Sequence, residues 1–368
     1  MTNRVLLWPN FGAEEGEPAA LGAQLAPLVQ AWALLFEGDV EADGATLERP
    51  AWCASVGRPL PQLAAMAGLV PWLATEAARR NAEARGLRWT GPSPKAVTTV
   101  SDKGWAHRAA LDAGMVPADL AEMITVLDAE TLTAEAIAIA LSRWPAQAQR
   151  SWTLKPRFGS SARGRARGSG AGLDNLAIRS LPRLRRRGGI LLEPWLDRID
   201  DLSVQLFIDA AGEVELLGTL RQDLTTAGAY RGNAGVMDVS GRVNCGVGGN
   251  TETTLRDCAL AIGTRAAAAG LRGPAGIDAF VYRGDSNQQV LRPCVEVNAR
   301  TTTGFVALGV LQRVCKTENL RGPLQWRFCM AREAVPPTWS VRAVSDAGPW
   351  LAWEGLCQVN SLRGTMSG

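Results

Sequence analysis

The chain has 368 residues, 46% hydrophobic and 20% charged, which is ample for packed cores and, at ~150 residues per domain, implies two or three subdomains. The net charge of +3 hides an uneven spread: Arg150 to Ile190 holds eleven cations against the single acid Asp174, so the rest of the chain is acidic overall and the basic run calls for a local anionic partner, a polyphosphate or a nucleic acid. One histidine and seven cysteines without C-x-x-C spacing argue against zinc and for reduced thiols in a cytoplasmic protein, and neither a signal peptide nor a run of ~18 apolar residues for a membrane span is visible.

Arg4 to Trp8 reads as a first buried strand, Ala19 to Phe36 has helical apolar spacing, and Leu60 to Arg85 is Ala-rich and predicted helical, with Gly86 as its stop. Leu87 to Pro92 reads as a short strand and turn. Residues 1–95 therefore form a small α/β domain, with Pro92 to Thr99 as its exit. Ser101 is a good N-cap for a helix running to Gly114. Lys103 falls in its first turn, where a cation opposes the helix dipole. That position makes sense if the side chain reaches an anion; a solvated surface lysine is the ordinary alternative. His107, alone in the chain, reads as helix surface or core rather than as a catalytic group.

Glu130 to Trp144 reads as an amphipathic helix, and Ser151 to Pro156 as a strand that carries Lys155 near its end. A Gly/Ser/Arg mixture follows as far as Gly172. Its glycines would let backbone N–H groups approach phosphates, and its serines add donors. It matches neither a Walker P-loop nor the dinucleotide G-x-G-x-x-G context. An Arg/Gly-rich RNA-binding segment is the rival reading, although Phe158 is its only aromatic from Arg157 to Gly172. Ile190 to Glu193 is a predicted buried strand, with Glu193-Pro194-Trp195-Leu196 leaving it as a hinge. Leu202 to Asp209 and Val214 to Arg221 are strands joined at Ala211-Gly212. Asp223 to Asn250 reads as a long functional loop, with Tyr230 and Arg231 as candidate substrate contacts. Thr251 to Gly270 is a helix. The Trp/Pro-rich residues from Asn319 onward declare no chemistry.

Between the last two helices, Gly276 to Tyr282 and Leu291 to Asn298 read as strands joined by a polar turn, an antiparallel hairpin. Residues two apart share a face of a strand, so Glu296 and Asn298 present a carboxylate and an amide oxygen side by side. The hairpin could bring Asp278 beside Glu296. Three oxygen ligands suit a hard divalent cation, and solvated polar residues on an ordinary hairpin are the alternative. Arg300 follows, where a guanidinium fork could hold a phosphate or carboxylate. Phe305 to about Lys316 is the last predicted helix. The chain has 35 arginines but only four lysines, Lys95, Lys103, Lys155 and Lys316. A GC-rich genome would favour Arg wherever any cation serves, so a retained lysine is a candidate for a position that needs a compact point charge.

In this order, GPSPKAVTTVSDK, TLKPRFGSSARG, ILLEPWL with DDLSV, GIDAFVY and VEVNAR resemble the ATP-grasp superfamily over about Leu87 to Lys316. The resemblance implies an α/β and α+β protein: an N-terminal α/β pre-ATP-grasp domain (1–95), a central lobe (96–195), a C-terminal lobe (196–318) and an extension (319–368). It implies ATP and Mg2+ as cofactors and small-molecule carboxylate and amine substrates, joined through an acyl phosphate into an amide on an amino acid or small peptide. Activation of another carboxyl donor such as bicarbonate, or non-catalytic ATP or RNA binding, are the alternatives; a homodimer is a family-level expectation. By the same resemblance, Lys103 and Lys155 hold the nucleotide phosphates, and Gly159, Ser160, Ser161 and Gly164 belong to a lid loop over them. Glu193, Trp195 and Leu196 form the adenine hinge, and Asp201, with Asp200 as its rival, bonds the ribose. Asp278, Glu296 and Asn298 are the magnesium ligands, and Arg300, with Lys155, is catalytic.

Overall fold

The protein is described by a computed structural model for residues 4–13, 25–37, 39–48, 50–53, 60, 62–63, 66, 68–159, 164–225, 229–284 and 286–356. In chain order, the first part comprises β1 (Val5–Trp8), α1 (Ala26–Ala33), β2 (Val40–Ala42), β3 (Gly68–Pro71) and α2 (Glu76–Ala84). The strands form a parallel three-stranded sheet in the order β2-β1-β3. The predicted helix over Leu60 to Arg85 is thus corrected: its middle is β3. A parallel strand is enclosed on both faces and reads as a continuous apolar run, here Leu69-Val70, which the alanines around it disguise. Only the second half is helical, started by Thr75, whose hydroxyl accepts from the Ala78 amide at 3.1 Å.

Next come α3 (Pro94–Ser101), α4 (Lys103–Asp112), α5 (Ala118–Ala121), β4 (Thr125–Asp128), α6 (Ala134–Ser142), β5 (Trp152–Pro156), β6 (Ala166–Gly168), α7 (Asn175–Arg186) and β7 (Gly189–Pro194). The predicted exit segment Pro92 to Thr99 is in fact largely α3, opened by Pro94 in its first turn, where the missing N–H costs nothing. Ser101 ends that helix, and Asp102 rather than Ser101 caps α4, accepting from the Gly104 amide at 2.8 Å. Strands β4-β7-β5-β6 make an antiparallel sheet. Its apolar face packs on α6 and α7 through Ile137, Leu141, Trp152, Leu181 and Leu184.

The remaining elements are β8 (Arg198–Ile208), β9 (Val214–Leu224), β10 (Tyr230–Met237), β11 (Val243–Asn244), α8 (Thr251–Ala268), β12 (Gly273–Arg283), β13 (Gln289–Asn298), α9 (Thr303–Thr317), β14 (Leu324–Cys329), β15 (Ser340–Ala343) and β16 (Trp350–Gly355). All these strands join one nine-stranded antiparallel sheet in the order β13-β12-β8-β9-β10-β14-β16-β15, with β11 on β10. The predicted loop Asp223 to Asn250 is corrected here, since it contains β10 and β11. Gly232 hides the strand pattern for a steric reason: a Cβ there would lie 2.0 Å from the Phe328 carbonyl of β14.

The Trp/Pro-rich stretch supplies an end of this sheet. Trp326 and Phe328 are fully buried with α1, α9 and β1 in one core, at about 1.5–3 kcal/mol per buried side chain. A second core lies between α3, α4, α8 and the β8-β12-β13 end. A smaller cluster, Leu120, Ile124, Leu191, Phe280, Tyr282 and Val295, fastens the four-stranded sheet to the large one and forms the seam beside the cleft. Among the described residues no helix is long and apolar enough to cross a membrane.

Candidate active site

A cleft of about 740 Å³ opens along that seam. Lys103, Lys155, Gly159, Asp201, Asp278, Glu296, Asn298 and Arg300 all line it. Glu193, Trp195, Leu196 and Gly164 are not among its lining residues, and Ser160 and Ser161 lie outside the described residues.

The floor is the β12–β13 hairpin. Its register sets Asp278 directly opposite Glu296, the juxtaposition that the predicted hairpin allowed. Asn298 donates its Nδ2 to Asp278 Oδ2 at 3.1 Å, and Gln222 on β9 donates to Asp278 Oδ1 at 2.8 Å. Arg300 donates to Asn298 Oδ1 at 3.0 Å, which fixes the amide with its oxygen toward the guanidinium. Lys103 Nζ lies 3.0 Å from Glu296 Oε2 and also donates to the Gly159 carbonyl at 2.6 Å.

The two carboxylates are held in opposite protonation preferences. Burial, and then the Glu296 charge, push Asp278 above the ordinary carboxylate range. Burial also disfavours ionised Glu296, but Lys103 and Lys155 outweigh it and hold Glu296 low. Two acids are thus forced together with too little positive charge between them. Among the described residues no group of three or more His, Cys, Asp and Glu could hold a metal. The two facing carboxylates fit a magnesium ion that keeps waters and phosphate oxygens as its other ligands, whereas Asn298 turns its amide nitrogen to Asp278 and would join them through its oxygen only with the amide turned over.

The two site lysines converge through Arg157. Its Nε donates to Asp102 Oδ1 at 2.9 Å, its guanidinium also pairs with Asp128, and its carbonyl accepts from the Lys103 amide at 3.2 Å. The start of α4 is thereby tied to the end of β5, so residues 103 and 155 face one cleft. Lys155 pairs with Glu193, whose other oxygen accepts from Arg292 at 2.9 Å. Burial lowers Lys155 to about 8 despite the Glu193 charge. Burial would raise Glu193, but Arg292 and Lys155 bring it to about 2. His107 is a core residue of α4: burial, then the Arg292 charge, lower it to about 4.

The hinge residues sit behind this triad. The Trp195 amide donates to the Ser151 carbonyl at 2.8 Å, and its ring is covered by Arg167 at 3.5 Å and Arg165 at 5.0 Å. Leu196 packs against the seam cluster. Asp201 pairs with Arg198 at 2.7 Å on the cleft wall, whereas Asp200 pairs with Arg221 at 3.3 Å and is not among the lining residues. The ends of the Gly/Ser/Arg loop need glycine: Gly159 has φ +136° and Gly164 φ +79°, and a Cβ on Gly164 would lie 2.6 Å from the Arg187 guanidinium. Arg183 donates to the Gly164 carbonyl at 3.1 Å and Arg185 to the Leu132 carbonyl at 2.9 Å. Arg157, Arg183 and Arg185 of the basic run thus bind partners within the protein, while Arg150, Arg167, Arg179 and Arg186 are exposed.

Sequence reasoning missed Arg292 and Gln222. Arg292 carried a visible signal, a charge in the apolar strand that also holds Glu296. Gln222 carried none, because only the β8–β9 pairing brings it over Asp278.

No protein-family model and no curated protein matches this sequence. Solved structures do. The biotin carboxylase domain dimer of the Hydrogenobacter thermophilus 2-oxoglutarate carboxylase, in complex with MgADP, ADP and bicarbonate, aligns with TM-score 0.55 at 14% identity, over 97% of this chain and 86% of that one. Biotin carboxylase from Campylobacter jejuni in an ATP complex gives 0.53 at 14% identity, over 89% and 75%. Carboxyaminoimidazole ribonucleotide synthase from Aspergillus clavatus complexed with ATP gives 0.52 at 15% identity, over 96% and 94%. The chain has the ATP-grasp fold, as the order of its motifs predicted.

Proposed function

We propose that the protein is an ATP- and magnesium-dependent ligase that activates a carboxylate as an acyl phosphate and joins it to an amine. Convergence carries this reading: Lys103 of α4, Lys155 of β5, Asp278 of β12, Glu296 and Asn298 of β13 and Arg300 just beyond it line one cleft. Residues 96–195 act as the central lobe and 196–318 as the C-terminal lobe, with the nucleotide between them. Lys103 and Lys155 hold the phosphates, with Gly159 beside them. The adenine is assigned to the 193–196 hinge by the resemblance alone, since Glu193, Trp195 and Leu196 are not among the cleft-lining residues. Asp201 bonds the ribose, a role supported by its place on the cleft wall. Asp278, Glu296 and Asn298 hold magnesium, which when bound neutralises phosphate charge. The substrate carboxylate attacks the γ-phosphorus, the bond to the bridging oxygen breaks, and ADP leaves with the electron pair. Arg300 stabilises the charge on the transferring group, and the amine then displaces phosphate. Positioning and charge suffice, so a chain with one histidine, buried in its core, lacks nothing this chemistry needs.

The solved neighbours support this reading, since they are complexes with β-γ-ATP, MgADP or ATP. They also favour a second one, activation of bicarbonate, because two are biotin carboxylases and one holds bicarbonate. The dimer of the Hydrogenobacter domain supports a homodimer here, which light scattering tests. Six free cysteines among the described residues support a cytoplasmic setting.

The test is phosphate release from ATP and magnesium across a panel of carboxylic acids, with hydroxylamine as the trap. Hydroxamate formed with one acid is the expected result. ATP turnover stimulated by bicarbonate alone, without hydroxamate, would establish the second reading. No nucleotide binding would remove both.

A further inference from the structure

We propose that a second cavity, of about 570 Å³, is the pocket for the carboxylate substrate, and that this substrate is a monocarboxylic acid with an apolar body. This rests on the ligase reading above. The cavity lies between Leu73–Glu76 at the start of α2, the exposed side of α3, Phe158 at the root of the loop, and the end of β13. It shares Lys103, Gly159, Glu296, Asn298 and Arg300 with the nucleotide cleft and otherwise has separate walls. Those five residues surround the point of phosphoryl transfer. A ligand filling the second cavity therefore reaches the γ-phosphate from a different wall than the nucleotide does.

The chemistry of the lining selects the class. Away from the junction the walls are Leu73, Ala74, Pro94, Val97, Phe158 and Val297. Three of the four hydroxyls that border them, all but that of Ser101, are committed to local structure: Thr75 caps α2, and Thr98 and Thr99 donate to the Pro94 and Lys95 carbonyls at 3.0 Å each. A sugar, or a dicarboxylate whose second carboxylate does not reach Lys95 at the exposed rim, would face these walls with its polar groups unpaired, whereas a hydrocarbon chain or ring gains by leaving water. The charge favours an acid over an amine as the occupant. Two carboxylates and three cations line the cavity: Glu296 is paired with Lys103 at 3.0 Å and Glu76 with Arg79 at 3.0 Å, whereas Lys95, one of only four lysines in the chain, forms no ion pair among the described residues, and Arg300 stands at the junction. The size fits as well: cavities of ~300–1,000 Å³ take drug-sized ligands, and bicarbonate would leave this one nearly empty.

The experiment is calorimetric titration of the full chain, with magnesium and a non-hydrolysable ATP analogue bound, using 3-phenylpropionate and hexanoate against succinate and L-glutamate. Nucleotide binding is measured first. The apolar acids are expected to bind at least tenfold more tightly than the polar ones. Thr98→Trp, at an exposed position of α3 on the cavity wall, is expected to weaken them at least tenfold while the nucleotide Kd stays within twofold; Thr99→Trp serves if the first variant does not fold. Equal or tighter binding of succinate or glutamate, no binding of the apolar acids, or unchanged affinity in both folded variants overturns the pocket assignment. Failure of the wild type to bind nucleotide removes the ligase reading instead.

Discussion

On the proposed role of Lys155, Glu193 links stability to nucleotide binding, and Glu193→Gln tests both. The side chain is 4% exposed and lies between Lys155 and Arg292, which are 11% and 3% exposed. The amide keeps the shape but removes the charge, leaving two buried cations without their common anion. Breaking a buried pair in this way costs about 3–5 kcal/mol. The depression of the carboxyl from 4.5 to about 2 gives a matching figure, ~3 kcal/mol at ~1.4 kcal/mol per pH unit. Because the folded-state value is depressed, the stabilisation is fully present above the unfolded carboxyl's range and is lost as pH falls through about 2; the variant lacks this acid limb. The nucleotide readout has its own sign. Wild-type Lys155 loses its proton as pH rises through about 8, so nucleotide affinity falls there. Without Glu193 the ammonium is disfavoured further, so affinity at neutral pH drops and recovers on mild acidification. The assays are urea unfolding followed by circular dichroism, and nucleotide Kd against pH. A variant within about 0.5 kcal/mol of wild type, or one whose affinity ignores pH, would refute the reasoning.

Asp278→Asn is expected to leave the unfolding midpoint unchanged or higher, since burial and Glu296 already disfavour its charge, while magnesium-dependent ATP turnover falls ~100-fold or more; wild-type turnover sinks the metal assignment. Gly164→Ala places a Cβ against Arg187 at φ +79° and is expected to cost about 1–3 kcal/mol locally, seen as slower ATP turnover with unchanged circular dichroism. Trp326→Ala is expected to lower stability by about 3–5 kcal/mol in urea, because the ring is fully buried between α9 and the sheet; a loss below about 1 kcal/mol would mean that the end of the large sheet folds apart from the rest.

How much of this was legible depended on the range of the interaction that places each residue. The β12–β13 hairpin was readable because period-two alternation and a short turn fix its register, and Asp278 faces Glu296 as that register requires. Lys155 was readable as the end of a strand before a glycine loop. What escaped was set by distant partners. Glu193 meets Arg292 across 99 residues and Asp278 meets Gln222 across 56, and no local pattern encodes either contact. Strands β3 and β10 escaped for the opposite reason: alanines beside one and glycines within the other gave a local signal that tertiary pairing overrode.

The lysine bias ties these levels together. In a chain that uses arginine almost everywhere, Lys103 and Lys155 line the cleft, and Lys95 lines the cavity that meets it. Lys316 lies in the last turn of α9, where the helix dipole favours any cation, so its identity needs no further cause. At position 155 the difference between the two cations has a physical basis. A guanidinium stays charged at any working pH and carries five donors to satisfy, whereas the buried ammonium, paired with Glu193, has three and can shift its pKa to about 8. Arg292 shows where the chain does accept arginine in the same network: away from the cleft lining, where the fork binds a carboxylate within the protein rather than a ligand.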